Sequence, residues 1–168
     1  MLFRSNSQDI DPFTPTASPP SPRPFELDAQ NQRYGGDLGE YLRCYYAMVT
    51  QLDANVGRLL GELDRLGLTD STLVAFTSDH GDMQGSQGMK NKSVAYEESA
   101  RIPLVMRAPG GATGQVVDGL VSGVDFYLTL MEWAGLPVPD GLEGKSIAPS
   151  LLGSAQEFTE PVFSEMKD

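Results

Sequence analysis

The segment LVAFTSDHGD, residues 73–82, decides the fold class, because an apolar run leads directly into a turn with two potential metal ligands. The apolar part predicts a buried parallel strand over residues 71–78. The polar part places Asp79 and His80 at the carboxyl end of that strand, and a glycine-rich loop then carries two lysines past it. Open parallel sheets hold their ligands at this edge. The segment therefore predicts an α/β fold with a metal site and an anion site.

The remaining chain divides into an irregular, proline-rich segment at residues 1–36 and a partial α/β domain at residues 37–168. Six of the 12 prolines lie between Pro12 and Pro24, which disfavours both helix and central strand there. Beyond that segment, helical and strand patterns alternate, which predicts a mostly parallel sheet flanked by helices. The predicted elements are an amphipathic helix over 37–67, strands over 71–78, 102–106, 116–121 and 161–163, a helix over 123–134, and a short apolar turn over 147–152.

Composition excludes some partners. The formal net charge is -11, which argues against nucleic acid or an anionic membrane surface as a partner. No apolar run approaches the roughly 20 residues that a spanning helix needs, and the first residues lack a signal-peptide pattern. An anionic substrate would therefore need positive charge supplied locally, by a metal and lysines.

The turn and the loop together suggest such a site. Asp79 offers a hard carboxylate oxygen and His80 a neutral nitrogen. The alternative is that Asp79 only caps the turn and His80 is a satisfied polar neighbour. Lys92, twelve residues after His80, favours the functional interpretation because a dianionic group beside a metal needs a nearby cation. Lys90 is expected to point to solvent, the commonest fate of lysine.

Five stretches, residues 45–60, 79–92, 96–104, 124–127 and 134–146, occur in an order that resembles the sulfatase family of the alkaline phosphatase superfamily. The resemblance covers about residues 40–165 and implies an alkaline-phosphatase-like α/β fold that is incomplete here. It implies hydrolysis of a small-molecule or glycan sulfate ester with a divalent metal. Calcium is the usual metal of the family, although a histidine ligand keeps magnesium, manganese and zinc as alternatives.

The resemblance also implies a role for each site residue. Asp79 and His80 correspond to metal ligands, and Lys92 to the lysine that binds the sulfate and balances charge on the departing oxygen. Gln87 stands where many members have histidine in a Gly-Ser-x-Gly pattern, close to the substrate. Glutamine can hydrogen-bond a substrate there but cannot act as an acid near neutral pH.

The family's nucleophile is not found in this sequence. Sulfatases use a formylglycine made in a Cys/Ser-x-Pro-x-Arg signature, and the similar Ser18–Arg23 has its arginine one residue late. Cys44 lies within the long predicted helix and is expected to be a packing residue. We therefore expect the chain to be the metal- and sulfate-binding part of a sulfatase catalytic domain, inactive by itself, with the formylglycine elsewhere.

Two other functions fit the same residues. A phosphonate or phosphodiester hydrolase of the superfamily shares the Asp-His pair and the downstream lysine. A non-catalytic sulfatase remnant would explain the missing nucleophile. The sequence does not specify the oligomeric state, and the family resemblance points to an exported, periplasmic or lysosomal protein.

Overall fold

The structure, a computed structural model, describes residues 38–154 and 161–163 and the backbone of a strand at residues 2–4. These residues form two compact units. The sheet unit contains the strand at 2–4 together with residues 70–78, 103–154 and 161–163. The loop unit contains residues 38–69 and 79–102. Within the described residues, no helix has the length and apolar character needed to cross a bilayer.

The sheet unit is built on four short strands with the order β2-β3-β1-β4. β3 pairs antiparallel with both β2 and β1, and β1 pairs parallel with β4. The α/β class is confirmed, but the expectation of a mostly parallel sheet is wrong for the described strands. Parallel neighbours need a crossover connection, usually a long helix, and residues 78–103 contain only a four-residue helix. The strands are β1 Leu2–Arg4, β2 Val74–Thr77, β3 Leu104–Arg107 and β4 Val116–Asp118.

The core of the sheet unit lies where β3 meets the last described helix. Met106, Ile147 and Leu151 are each 2% exposed or less and form one cluster. β2 is an edge strand of the described sheet, and its Phe76 is 38% exposed, so the predicted burial of this strand is also wrong. The two helices of this unit, α3 at Gly123–Trp133 and α4 at Ala148–Leu151, agree with the predicted helix and apolar turn.

Polar contacts tie α3 to the turn before α4. Asp125 and Ser122 form a capping box at the start of α3, and the second carboxylate oxygen of Asp125 accepts the Lys145 amide at 2.8 Å. One turn later, the Thr129 hydroxyl donates to the Asp125 carbonyl at 2.6 Å and accepts the Ile147 amide at 3.0 Å. Because Asp125 and Thr129 are buried, these bonds hold α3 in a fixed position against residues 145–147.

The loop unit begins with α1, Leu38–Arg65, which confirms the long helix within two residues at its C-terminal end. Its predicted cap, Asp37, lies outside the described residues. No residue of α1 is buried, and Cys44 is exposed, so the packing role expected for that cysteine is wrong. A short helix, α2 at Glu97–Ala100, ends the loop that follows β2.

Two further expectations need correction. Residues 2–4 form β1, although the segment 1–36 was expected to be irregular; residues 5–37 lie outside the described residues. Three residues are enough for β1 to pair with β3 and β4. So short a strand has no periodic pattern in the sequence, and the nearby prolines favoured an irregular segment. The strand expected at 161–163 is wrong, because these residues are in no regular element. The domain boundary at residue 37 stays a prediction.

Candidate metal and anion site

Asp79 and His80 follow β2 after a single intervening residue. The backbone amide of His80 donates to Oδ1 of Asp79 at 3.0 Å, which holds this oxygen close to the following residue. The other oxygen, Oδ2, lies 3.5 Å from Nε2 of His80. The Asp79 side chain is 83% exposed and that of His80 is 37% exposed, so both can be reached from solvent.

The imidazole of His80 is oriented by the contacts that its two ring nitrogens make. Nδ1 lies 2.7 Å from the carbonyl oxygen of Gly81, which can only accept, so Nδ1 carries the proton. Nε2 contacts the ammonium nitrogen of Lys92, which can only donate. The neutral Nδ1–H tautomer satisfies both contacts. Its Nε2 lone pair is therefore directed at a cation.

These contacts fit one side of a divalent metal site. The Nε2 lone pair of His80 and Oδ2 of Asp79 are both electron-pair donors, and 3.5 Å separates them. Two ligands about 2.4 Å from an ion at a right angle would be about 3.4 Å apart. Among the described residues, no cluster of three or more His, Cys, Asp or Glu side chains could hold a metal. Further ligands would come from water, from substrate or from outside the described residues.

A hairpin-like loop brings Lys92 back to His80. The Met83 amide donates to the Asn91 carbonyl at 2.7 Å, and the Gly85 amide donates to the Met89 carbonyl at 2.8 Å. These bonds close residues 83–91 into two limbs joined by a 3₁₀ turn at Ser86–Gly88. Met83, which donates the first of these bonds, is fully buried. The residues that flank the closed base, His80 before it and Lys92 after it, are thereby set side by side.

Gly81 fixes the loop against α2. Its amide donates to the Ser99 carbonyl at 2.8 Å. A Cβ at this position would collide with the Glu98 carbonyl oxygen, a backbone atom that cannot turn away. Glycine is therefore required at the residue directly after His80.

Gln87 lies at the tip of the loop, with left-handed backbone (φ 56°) in the 3₁₀ turn. The structure brings Asp79, His80 and Lys92 into contact, while Gln87 sits at the opposite end of the paired segment. Its part in substrate binding stays a prediction.

Lys90 does not point to solvent as expected. Its side chain is buried, with 6% exposure, and its ammonium nitrogen lies 4.8 Å from the centroid of the Tyr41 ring. The Tyr41 hydroxyl donates to Oδ2 of Asp82 at 2.7 Å. These contacts were not predicted from the sequence. Helical spacing puts Tyr41 on the same face of α1 as Leu38, but no sequence pattern indicates that either residue contacts the loop.

Comparisons with known proteins show the family to which the chain belongs. The Sulfatase family model matches residues 6–136. N-acetylglucosamine-6-O-sulfatase of Bacteroides thetaiotaomicron is 38% identical over 113 residues, which are 67% of this chain and 20% of that protein. Arylsulfatase K of Canis lupus familiaris is 42% identical over 105 residues, covering 62% of this chain and 20% of that protein.

A solved structure is similar as well. Phosphonate monoester hydrolase of Agrobacterium radiobacter superposes with a TM-score of 0.68 at 38% identity, covering 72% of this chain and 24% of that one. This chain spans about a fifth of the length of the curated relatives that it matches. Because the family model covers most of the sequence, the chain belongs to the sulfatase family.

Proposed function

We propose that this chain supplies the metal- and sulfate-binding part of a sulfuric ester hydrolase. Asp79 and His80 hold a divalent cation, and Lys92 binds the anionic oxygens of the ester. The observation that carries the proposal is the convergence of the Asp79 carboxylate and the Lys92 ammonium on Nε2 of His80. One lone pair, one carboxylate and one ammonium are the groups that a site for a metal-bound sulfate needs.

Each residue has a separate chemical task. A divalent cation here would polarise the sulfate oxygens and favour the ionised form of a nucleophile. His80 directs its lone pair toward the cation because the Gly81 carbonyl holds the Nδ1 proton. Lys92 then donates to the sulfuryl oxygens and the bridging oxygen instead of to Nε2. This stabilises negative charge as the alcohol departs.

Calcium is the metal we propose first, because Asp79 supplies a hard oxygen and calcium is the usual metal of the family. Magnesium, manganese and zinc are the alternatives, and zinc accepts an imidazole ligand more readily than calcium does. The nucleophile, a formylglycine in this family, and any further protein ligands of the metal would come from outside the described residues.

The substrate we propose is a sulfate ester of a sugar. One relative is named as an N-acetylglucosamine-6-O-sulfatase, and this supports a glycan ester. Gln87, at the tip of the loop, would hydrogen-bond a polar group of that substrate through its side-chain amide. Its left-handed backbone fixes the direction in which the side chain leaves the loop.

A phosphonate monoester is the second candidate. The similarity to phosphonate monoester hydrolase reaches 38% identity, the same value as for the named glycan sulfatase. A metal and a lysine would neutralise a tetrahedral phosphonate as they would a sulfate. The reaction must therefore be distinguished by the substrate that is turned over.

A segment graft tests the proposal. Residues 79–101 of this chain replace the aligned segment of the Bacteroides thetaiotaomicron relative, and kcat/KM is measured on a sulfated sugar and on a phosphonate monoester. The proposal predicts an active graft that prefers the sulfate ester. Lys92→Gln in the graft should lower kcat by at least about 100-fold, as removal of one oxyanion donor does. Lys92→Arg, which keeps the charge, should lose less.

Asp79→Asn and His80→Gln in the same graft should raise the metal concentration that gives half activity. An active graft in which Lys92→Gln keeps its activity within twofold would contradict the role of Lys92. A graft that prefers the phosphonate monoester would favour the second candidate. A graft with no activity and no metal binding would favour a non-catalytic remnant.

A further inference from the structure

We infer that Tyr41 is a positioning residue, which sets the distance between His80 and Lys92 by holding both limbs of the loop through one side chain. The inference rests on the proposed function, because it explains how the proposed metal ligand and the proposed sulfate-binding lysine are kept together. Tyr41 lies on α1, in the first turns of the helix, and reaches the loop at two places.

The first limb is held through the hydroxyl group. The Tyr41 hydroxyl donates to Oδ2 of Asp82 at 2.7 Å, while Oδ1 of Asp82 accepts the Gln84 amide at 2.8 Å. Both carboxylate oxygens are thus used to define the direction of the chain at Asp82. Because Asp82 is two residues after His80, the hydroxyl controls the limb that carries the imidazole. A hydrogen bond to a charged group is among the stronger side-chain contacts.

The second limb is held through the face of the ring. The ammonium nitrogen of Lys90 lies 4.8 Å from the ring centroid, within the range of a cation–π interaction. The Lys90 side chain is 6% exposed, and desolvation strengthens such a contact. Because Lys90 is two residues before Lys92, the ring controls the limb that carries the ammonium group.

The two limbs meet at the bond between the Met83 amide and the Asn91 carbonyl, 2.7 Å long. Met83 directly follows Asp82 and Asn91 directly follows Lys90, so this bond joins the two limbs next to both Tyr41 contacts. α1 also touches the loop at Gly85, where a Cβ would stand 2.8 Å from a methyl carbon of Leu38. Helix α1 therefore serves as the support of the site, and Tyr41 is the side chain that links its position to both functional limbs.

The test uses the fact that His80 is the sole histidine of the sequence. The 168-residue chain is made with ¹⁵N-labelled histidine, so its imidazole nitrogens are observed without overlap. The same samples are titrated with Ca²⁺ alone. Tyr41→Phe removes the hydroxyl and keeps the ring. Tyr46→Phe, on the exposed side of the same helix, is the matched control.

The wild-type chain should show the Nδ1–H tautomer. Tyr41→Phe should shift His80 toward the Nε2–H form that free imidazole side chains prefer, and should raise the Kd for Ca²⁺ about fivefold or more, since part of a charged hydrogen bond is lost. Tyr46→Phe should resemble the wild type in both readouts. A general loss of stability would not change the tautomer of a chain that is still folded by circular dichroism.

The inference is overturned if folded Tyr41→Phe keeps the wild-type tautomer and binds Ca²⁺ within twofold of the wild type. It is also overturned if the wild type lacks the Nδ1–H tautomer. Should Tyr41→Phe fail to fold, Asp82→Asn, which weakens the same tie from the other side, decides by the same criteria. If Ca²⁺ has no effect on any variant while Tyr41→Phe still changes the tautomer, positioning by Tyr41 stands and the proposed metal role fails.

Discussion

Gly81→Ala should be among the most damaging single-methyl additions in the described part of the chain. The added Cβ would overlap the Glu98 carbonyl oxygen and lie 2.9 Å from the Glu98 carbonyl carbon and 3.3 Å from the Ser99 carbonyl oxygen. All three are backbone atoms, so the strain cannot be relieved by a side-chain rotation. The loop must instead move away from α2.

The size of the effect follows from what that movement breaks. Restoring normal contact distances requires a shift of about 1 Å, which stretches the 2.8 Å bond from the Gly81 amide to the Ser99 carbonyl out of range. Loss of that bond costs about 1 kcal/mol, and forced backbone displacement costs about 1–3 kcal/mol. The free energy of unfolding should therefore fall by about 2–4 kcal/mol. Because His80 is the preceding residue, its ring nitrogens should also lose their fixed orientation.

Urea unfolding, followed by far-ultraviolet circular dichroism, measures this change. Gly57→Ala is the control, since it adds the same methyl group in the middle of α1, where no atom beyond the neighbouring residues and the local helix backbone lies within 4 Å of the new Cβ. That variant should be more stable than the wild type by about 0.5–1 kcal/mol because alanine favours helix. If Gly81→Ala unfolds within about 0.5 kcal/mol of the wild type, below the range expected of overpacking, the close approach of the loop to α2 is wrong.

Two other predictions concern the stability of each unit. Thr129→Val should lower the free energy of unfolding by about 2 kcal/mol, because it leaves the buried Ile147 amide and Asp125 carbonyl without their hydroxyl partner. Thr113→Val, at an exposed threonine, is the control. Equal urea midpoints for Thr129→Val and the wild type would contradict the hydrogen-bond network. At the end of α1, the hydrogen bond from Arg65 lowers the pKa of Glu62 below its usual 4.5. Because the pKa of Glu62 is lower in the folded state than in the unfolded state, the ionised carboxylate stabilises the folded state above pH 4.5. This stabilisation is lost as the pH falls through the lowered pKa. Helix content during acid titration should therefore decline slightly less in Glu62→Gln, and the difference should vanish in high salt because the pair is exposed.

The parts of the fold that depend on local pattern could be predicted from the sequence. The apolar spacing along residues 38–66 specified α1, and the apolar run at 73–76 followed by polar residues placed β2 directly before Asp79. The sequence predicted that Lys92 lies near the Asp79–His80 pair, and Lys92 contacts His80 in the structure, while the metal and sulfate roles of these residues stay predictions.

The parts that depend on distant partners could not be predicted. One neighbour of β3 in the sheet is β1, a three-residue strand about 100 positions earlier in the sequence. The burial of Lys90 depends on the ring of Tyr41, and a lysine in a polar loop has no local feature that marks it as buried. Such contacts carry no periodic signal, because each joins residues that are separated by tens of positions.

The most direct test of the account is calorimetric titration of the 168-residue chain with Ca²⁺. We predict binding of one ion, and a Kd at least about tenfold higher in Asp79→Asn and in His80→Gln, because each change removes one of two adjacent donors. Asp53→Asn, an exposed carboxylate on α1, should bind like the wild type. Absence of binding by the wild type, or equal binding by all four proteins, would contradict the claim that Asp79 and His80 form a metal site.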